Sequence, residues 1–167
     1  MALACDPPRP VGGDFIAVER DFAGFDRWTR FDRGPDAVPP IHPEGESIVY
    51  VSALPARGAT AFPTGTIIVR VTTGGAPAEW EVHAMVKRGG AYNAAGAPGW
   101  EFFDLRLDTV GDALVPRILW RGEAPPELGE GYLSPDGGIP LSCSHCHGAG
   151  GMRNDSVLGD ELYLSEL

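Results

Sequence analysis

Cysteine is scarce in this chain: three residues in 167, at Cys5, Cys143 and Cys146. Two lie close together and one stands near the start without a mate, which excludes a disulfide framework. Long apolar runs are missing as well. None approaches the roughly 18 residues of a spanning helix, so no membrane-crossing helix is expected. Positive charge is in short supply, with 13 Lys and Arg against 23 Asp and Glu, a net charge of −10. Nucleic acid and anionic membrane surfaces would repel such a chain, whereas a basic protein or a small neutral molecule fits it better. No internal repeat is visible. What remains is an ordinary globular composition, 43% hydrophobic and 22% charged, long enough for one domain with its own core.

The opening Met1-Ala2-Leu3-Ala4-Cys5-Asp6-Pro7-Pro8 resembles the end of a bacterial lipoprotein signal, which would make Cys5 a lipidated anchor. The alternative is an unstructured tail with a stray thiol. Residues 1–13, rich in Pro and Gly, are expected to form that tail, and 14–167 a single domain. From Asp14 to Asp32 the residues Phe15, Val18, Phe22, Phe25, Trp28 and Phe31 recur at helical spacing and predict an amphipathic helix. A proline-rich loop from Gly34 to Pro43, containing His42, ends it.

The period then changes from helical to alternating. Ser47–Leu54, Thr66–Thr73, Trp80–Lys87 and Trp100–Leu107 are short, rich in Val, Ile and aromatics, and separated by Gly and Pro. They predict four antiparallel strands, with a fifth around Arg117–Arg121. A loop from Gly122 to Pro140 and a short helix from Cys143 complete an α+β class: an antiparallel sheet of about five strands with helices at both ends. Alternation sets Trp80, Val82, Ala84 and Val86 on one face of their strand and Glu81, His83, Met85 and Lys87 on the other. Likewise Ile67, Val69 and Val71 oppose Thr66, Ile68, Arg70 and Thr72. Each strand thus has an apolar side and a mixed side, and a mixed side either meets solvent or lines a pocket.

Late in the chain stands Ser142-Cys143-Ser144-His145-Cys146-His147. Its Cys-x-x-Cys-His spacing is that of c-type haem attachment. Two thiols add to the two vinyl groups of the porphyrin, and two intervening residues let both reach from one turn. The adjacent His147 then places a ring nitrogen on the iron. Small residues at Gly148, Ala149, Gly150 and Gly151 let backbone pass close to the macrocycle. A thioredoxin-like pair also uses Cys-x-x-Cys, but opens a helix after an early strand. A structural zinc site needs a second pair of ligands, and the other histidines are only His42, His83 and His145. One motif predicts one haem c. His145 is expected to be a spacer facing solvent, and Met152 to lie on the same side of the ring as His147. Haem of this type is attached outside the cytoplasm, so the motif and the lipoprotein-like start agree on a periplasmic or other extracytoplasmic location.

With the motif placed, the chain resembles the cytochrome P-460 and cytochrome c′-beta family over roughly residues 40–165. The resemblance rests on Ser47-Ile48-Val49-Tyr50-Val51, then Phe62-Pro63-Thr64-Gly65-Thr66-Ile67-Ile68-Val69-Arg70, then Ala84-Met85-Val86-Lys87 with Gly99-Trp100, and the late motif with Asp155 beyond it. It implies a haem packed against a small antiparallel sheet, a homodimer, and a five-coordinate iron whose open side faces the sheet. Hydroxylamine-oxidising members carry a lysine, cross-linked to the haem, where this chain has Arg70. A glutamate implicated in proton relay is replaced by His83, and an arginine by Ser47. Lys87, the single lysine here, matches a different lysine of the family pattern. A guanidinium stays protonated and is a poor nucleophile, so the cross-link and hydroxylamine oxidation are not expected.

The resemblance puts Arg70 and His83 on the open side of the haem, and their strand parities agree. A neutral imidazole can take a proton from hydrogen peroxide and return it to the departing oxygen, while a guanidinium stabilises the negative charge that develops. The expected function is therefore a haem protein that binds peroxide, nitric oxide or another nitrogen oxide. Catalytic His83 and Arg70 would give peroxidase-like oxidoreductase turnover, with electrons exchanged with a redox partner protein. Two alternatives stay open. His83 or Met85 could be the sixth iron ligand, giving an electron-transfer cytochrome, or Arg70 could pair with a haem propionate or with Glu81. Trp28, Trp80, Trp100 and Trp120 are expected in the core or against the haem.

Overall fold

The structure, a computed structural model, describes residues 13–35, 45–123, 142–159 and 162–167. The expected tail and anchor at Cys5, the proline loop around His42, the loop leading into the Cys-x-x-Cys-His motif, and Asp160 with Glu161 lie outside these residues.

Six strands form one antiparallel sheet in chain order: β1 (Thr29–Pro35), β2 (Glu46–Val51), β3 (Ile67–Thr73), β4 (Glu81–Lys87), β5 (Trp100–Val110) and β6 (Ala113–Gly122). One helix, α1 (Cys143–Gly151), follows the sheet and runs into a 3₁₀ turn at Met152–Asn154. The α+β class stands, with six strands rather than about five. The alternation read from the sequence places β2 to β5 to within three residues at their starts and ends.

The predicted N-terminal helix is not formed. The segment makes two 3₁₀ turns, Glu19–Phe22 and Phe25–Arg27, and then enters β1. Gly24, at φ 71°, breaks the helical path between the turns, and Val18, Ala23 and Trp28 are extended. Pairing with β2 overrides the helical spacing from Thr29 onward. The consequence is visible in two aromatics that helical spacing had grouped together. Trp28 packs into the cluster on one face of the sheet, whereas Phe31, an odd number of residues on, packs into the cluster on the other.

Both faces of the sheet are covered. On the first, Ile67, Val69, Val71, Val82, Ala84, Val86, Phe103, Leu105 and Leu107 receive Phe22 and Phe25. Phe22 meets Phe103 edge-on at 5.1 Å, and Phe25 meets Tyr50 at 5.3 Å. Side chains this completely buried contribute about 1.5–3 kcal/mol each. On the second face, Val49, Val51, Ile68, Met85 and Phe102 pack under Val157, Leu162 and Leu164 of the C-terminal segment.

A bulge decides which face Trp120 joins. Asp104 pairs with Trp120 and Leu105 with Ile118, so Leu119 is the extra residue on β6. Were the strand regular instead of carrying this bulge, Trp120 and Ile118, two residues apart, would share a face. With it, Ile118 packs into the first cluster and Trp120 into the second, while Leu119 is exposed.

Candidate functional site

The register of the sheet brings one row of side chains across all six strands: Phe31, Val49, Arg70, His83, Asp104 and Trp120. Residues directly opposite in an antiparallel pair point to the same side, so the row lies on the second face. The two sequence-predicted catalytic residues, Arg70 and His83, are therefore direct cross-strand neighbours. The next row, Val51, Ile68, Met85 and Phe102, is apolar. On the other side lies a polar row, Ser47, Thr72 and Glu81.

The polar residues hold one another. Ser47 Oγ accepts from Nε of Arg70 at 2.9 Å, so the serine orients this guanidinium. His83 Nδ1 lies 3.1 Å from Glu81 Oε1. Burial lowers the His83 pKa to about 4, and the charge of Arg70 adds to the effect. Burial likewise lifts Glu81 to about 7, opposed by Arg70 and assisted by Asp104. Asp104 is itself raised by burial. At neutral pH His83 is thus uncharged, and Glu81 is poised between its two states. An ionised Glu81 takes Nδ1–H of His83, and Nε2 then carries the lone pair that makes a proton acceptor.

Helix α1 carries the motif to this same face. It is rich in glycine and has little intrinsic helicity, so its ends and its contacts hold it. Ser142 caps it by accepting the His145 N–H at 3.1 Å. Ser144 is buried and donates its hydroxyl to Oδ1 of Asn93 at 2.6 Å. A Cβ at Gly148 would lie 2.4 Å from the Gly96 carbonyl oxygen, so helix and loop touch through bare backbone. Cys143 and Cys146 are half-buried and three residues apart, hence on neighbouring positions of one helix side. Burial raises the Cys146 pKa and keeps its thiol protonated. His145 is exposed, as a spacer should be.

His147 is the link between helix and sheet. Its ring centroid lies 5.0 Å from that of Phe102, which is two residues from Asp104 on the same side of β5. Its Nδ1 meets the Ser156 carbonyl oxygen at 2.8 Å, so Nδ1 carries the proton and Nε2 presents a lone pair. Burial lowers the His147 pKa against the pull of that bond, and Arg70 lowers it further. The charge of Arg70 therefore reaches both His83 and His147.

This donor set suits a c-type haem: two adjacent thiols, an imidazole with one nitrogen already committed to a carbonyl, and aromatic packing beside it. Among the described residues no group of three or more His, Cys, Asp or Glu comes together. Of the alternative sixth ligands, Met85 is buried in the apolar row of the same face. Lys87 is drawn away from the polar row into an ion pair with Asp155. Sequence reasoning placed Glu81 on the right face without seeing its bond to His83, and passed over Asp104, Ser144 and Ser156. Only the parity of Glu81, two residues before His83, signalled any of these contacts. Comparison with protein-family models, with curated proteins and with solved structures finds no match for this chain.

Proposed function

We propose that this protein is an exported mono-haem c-type cytochrome similar to cytochrome P-460, which binds a small ligand (peroxide, nitric oxide or another nitrogen oxide) beside Arg70 and His83 and turns peroxide over. The observation that carries the reading is that Arg70 faces His83 across β3 and β4 while its charge also reaches His147 of the Cys-x-x-Cys-His helix. Cys143 and Cys146 would hold the haem through thioethers, and His147 through Nε2. Haem held there would supply redox-active iron, the chemistry for ligand binding and for electron exchange with a partner protein.

The chain's own residues supply the rest. His83, uncharged at neutral pH and oriented through Nδ1 by Glu81, accepts a proton from hydrogen peroxide at Nε2 and returns it to the departing oxygen. Arg70, held by Ser47, stabilises the negative charge that develops on that oxygen. Arg70 offers no nucleophilic amine, so hydroxylamine oxidation through a cross-linked haem is not part of the reading. Attachment of haem c sets the protein outside the cytoplasm, and the resemblance adds a homodimer.

Purified holoprotein is the material for the test, with spectra taken oxidised and reduced, before and after peroxide and nitric oxide. A high-spin ferric spectrum that responds to both ligands supports the reading. A low-spin spectrum inert to both leaves an electron carrier closed by His83 or Met85.

A further inference from the structure

Beyond α1 the backbone makes an uncommon turn. Asp155 and Ser156 both adopt left-handed conformations, at φ 52° and 64°, and neither is glycine. Side chains resist this conformation, so two in succession persist only when neighbours impose them. Here they do. Asp155 Oδ1 accepts from Lys87 Nζ at 2.6 Å and Oδ2 accepts the Phe62 N–H at 2.8 Å. The Asp155 carbonyl accepts Nε1–H of Trp100, also at 2.6 Å. The end of β4, the start of β5 and the loop at Phe62 thus grip one residue.

Lys87 is equally committed. It also donates to the Pro98 carbonyl at 3.0 Å and lies 4.9 Å from the centroid of the Trp100 ring. The side chains of Lys87 and Asp155 keep only 11% and 13% of their surface exposed, so neither charge has water to fall back on. The residue after Asp155 is the one whose carbonyl meets Nδ1 of His147. Its own N–H closes back onto the Gly151 carbonyl at 2.7 Å, which sets the carbonyl's direction relative to α1.

We propose that Lys87 and Asp155 are positioning residues for His147: their ion pair holds the Asp155–Ser156 turn so that the Ser156 carbonyl receives Nδ1–H and His147 presents Nε2. The inference rests on the reading of His147 as the axial ligand. An imidazole whose Nδ1–H is held by a carbonyl is a stronger donor through Nε2, which strengthens the bond to iron and favours the oxidised state. The single lysine of the chain therefore acts on the haem from the side of His147, not as a cross-link from the side of Arg70.

The test uses the full-length holoprotein with Lys87→Met, Asp155→Asn, the paired Lys87→Met/Asp155→Asn, and Lys87→Arg. Asparagine tolerates the left-handed conformation, and the paired variant leaves no buried charge alone, so folding is retained in at least that form. The paired variant is expected to carry haem in the same ratio as wild type by pyridine haemochrome assay. Its iron–histidine stretching frequency should fall and its reduction potential should rise, while Lys87→Arg stays close to wild type. A paired variant that folds and carries haem with both values unchanged overturns the proposal. If wild type carries no haem, the functional reading fails by itself, and nitrogen-15 NMR of the His147 ring still decides the tether. A single Nδ1–H tautomer in wild type that becomes mixed in the paired variant supports it, and an unchanged tautomer overturns it.

Discussion

Glu81 Oε1 lies 3.1 Å from Nδ1 of His83, two residues along the same strand and on the same face. Burial pushes the two groups in opposite directions, Glu81 up to about 7 and His83 down to about 4. Their effects on stability oppose one another. Between pH 4.5 and 7 the unfolded chain releases the Glu81 proton while the folded chain retains it, so stability falls as pH rises. Between pH 6.5 and 4 the unfolded chain protonates His83 while the folded chain does not, so stability falls as pH drops.

In wild type these slopes nearly cancel from pH 4.5 to 6.5. Glu81→Gln is expected to unmask the His83 slope, so that the variant's own stability rises with pH from 4 to 6.5. The stability of His83→Gln is expected to fall with pH from 4.5 to 7, the slope of the remaining Glu81. The limiting slope for one group is about 1.4 kcal/mol per pH unit. Urea denaturation across this range measures both.

For the proposed turnover, His83→Gln is expected to slow the reaction with peroxide by roughly 10²-fold or more, the usual contribution of one positioned acid–base group. Arg70→Leu is expected to slow it by a similar factor through loss of charge stabilisation. Both variants should keep covalent haem, because neither residue belongs to α1. Stopped-flow rates at matched haem concentration measure the loss, and unchanged rates in both variants would remove these residues from the chemistry.

Gly148→Ala is expected to lift α1 from the 93–97 loop, because the new methyl group would sit 2.4 Å from the Gly96 carbonyl oxygen. Backbone on both sides leaves no flexible side chain to yield. A cost of about 1–3 kcal/mol follows for overpacking of this kind, a fall in Tm of roughly 5 °C for a chain of this size. Calorimetry measures the fall. Ala149→Gly, at an exposed position of the same helix, is the control and should cost about 1 kcal/mol at most.

Deleting Leu119 removes the unpaired residue and leaves Ile118 and Trp120 adjacent, so Ile118 keeps the first face and Trp120 the second, and the loss is expected to stay within about 1 kcal/mol. Replacing Leu119 by Thr keeps the bulge and should be nearly neutral, since Leu119 is 57% exposed. Chemical denaturation of the two variants measures both, and a loss of roughly 3 kcal/mol on deletion would show that an apolar side chain had left its cluster.

Strand parity was legible in the sequence because Ile67, Val69 and Val71, and likewise Val82, Ala84 and Val86, alternate without interruption. That placed Arg70 and His83 each on the mixed side of its strand, and the register of β3 with β4 makes the two sides one face. Helix α1 was legible from the chemistry of its motif rather than from hydrophobic pattern, which its glycines lack. The N-terminal segment misled because Phe22, Phe25, Trp28 and Phe31 sit at helical intervals by coincidence with two 3₁₀ turns and a strand. Pairing with β2 is a long-range effect that no local window contains. The same holds for the tether of Asp155 to Lys87, 68 residues apart, and for the bulge at Leu119.

The optical spectrum of the purified protein tests the central claim most directly. Expressed with a c-type haem maturation system and exported, the chain should show covalent haem bands that persist after acid–acetone extraction, in a ratio of one haem per chain. The ferric spectrum should be high-spin and should change on adding peroxide or nitric oxide. Absence of haem bands from a folded protein with Cys143, Cys146 and His147 intact would contradict the account.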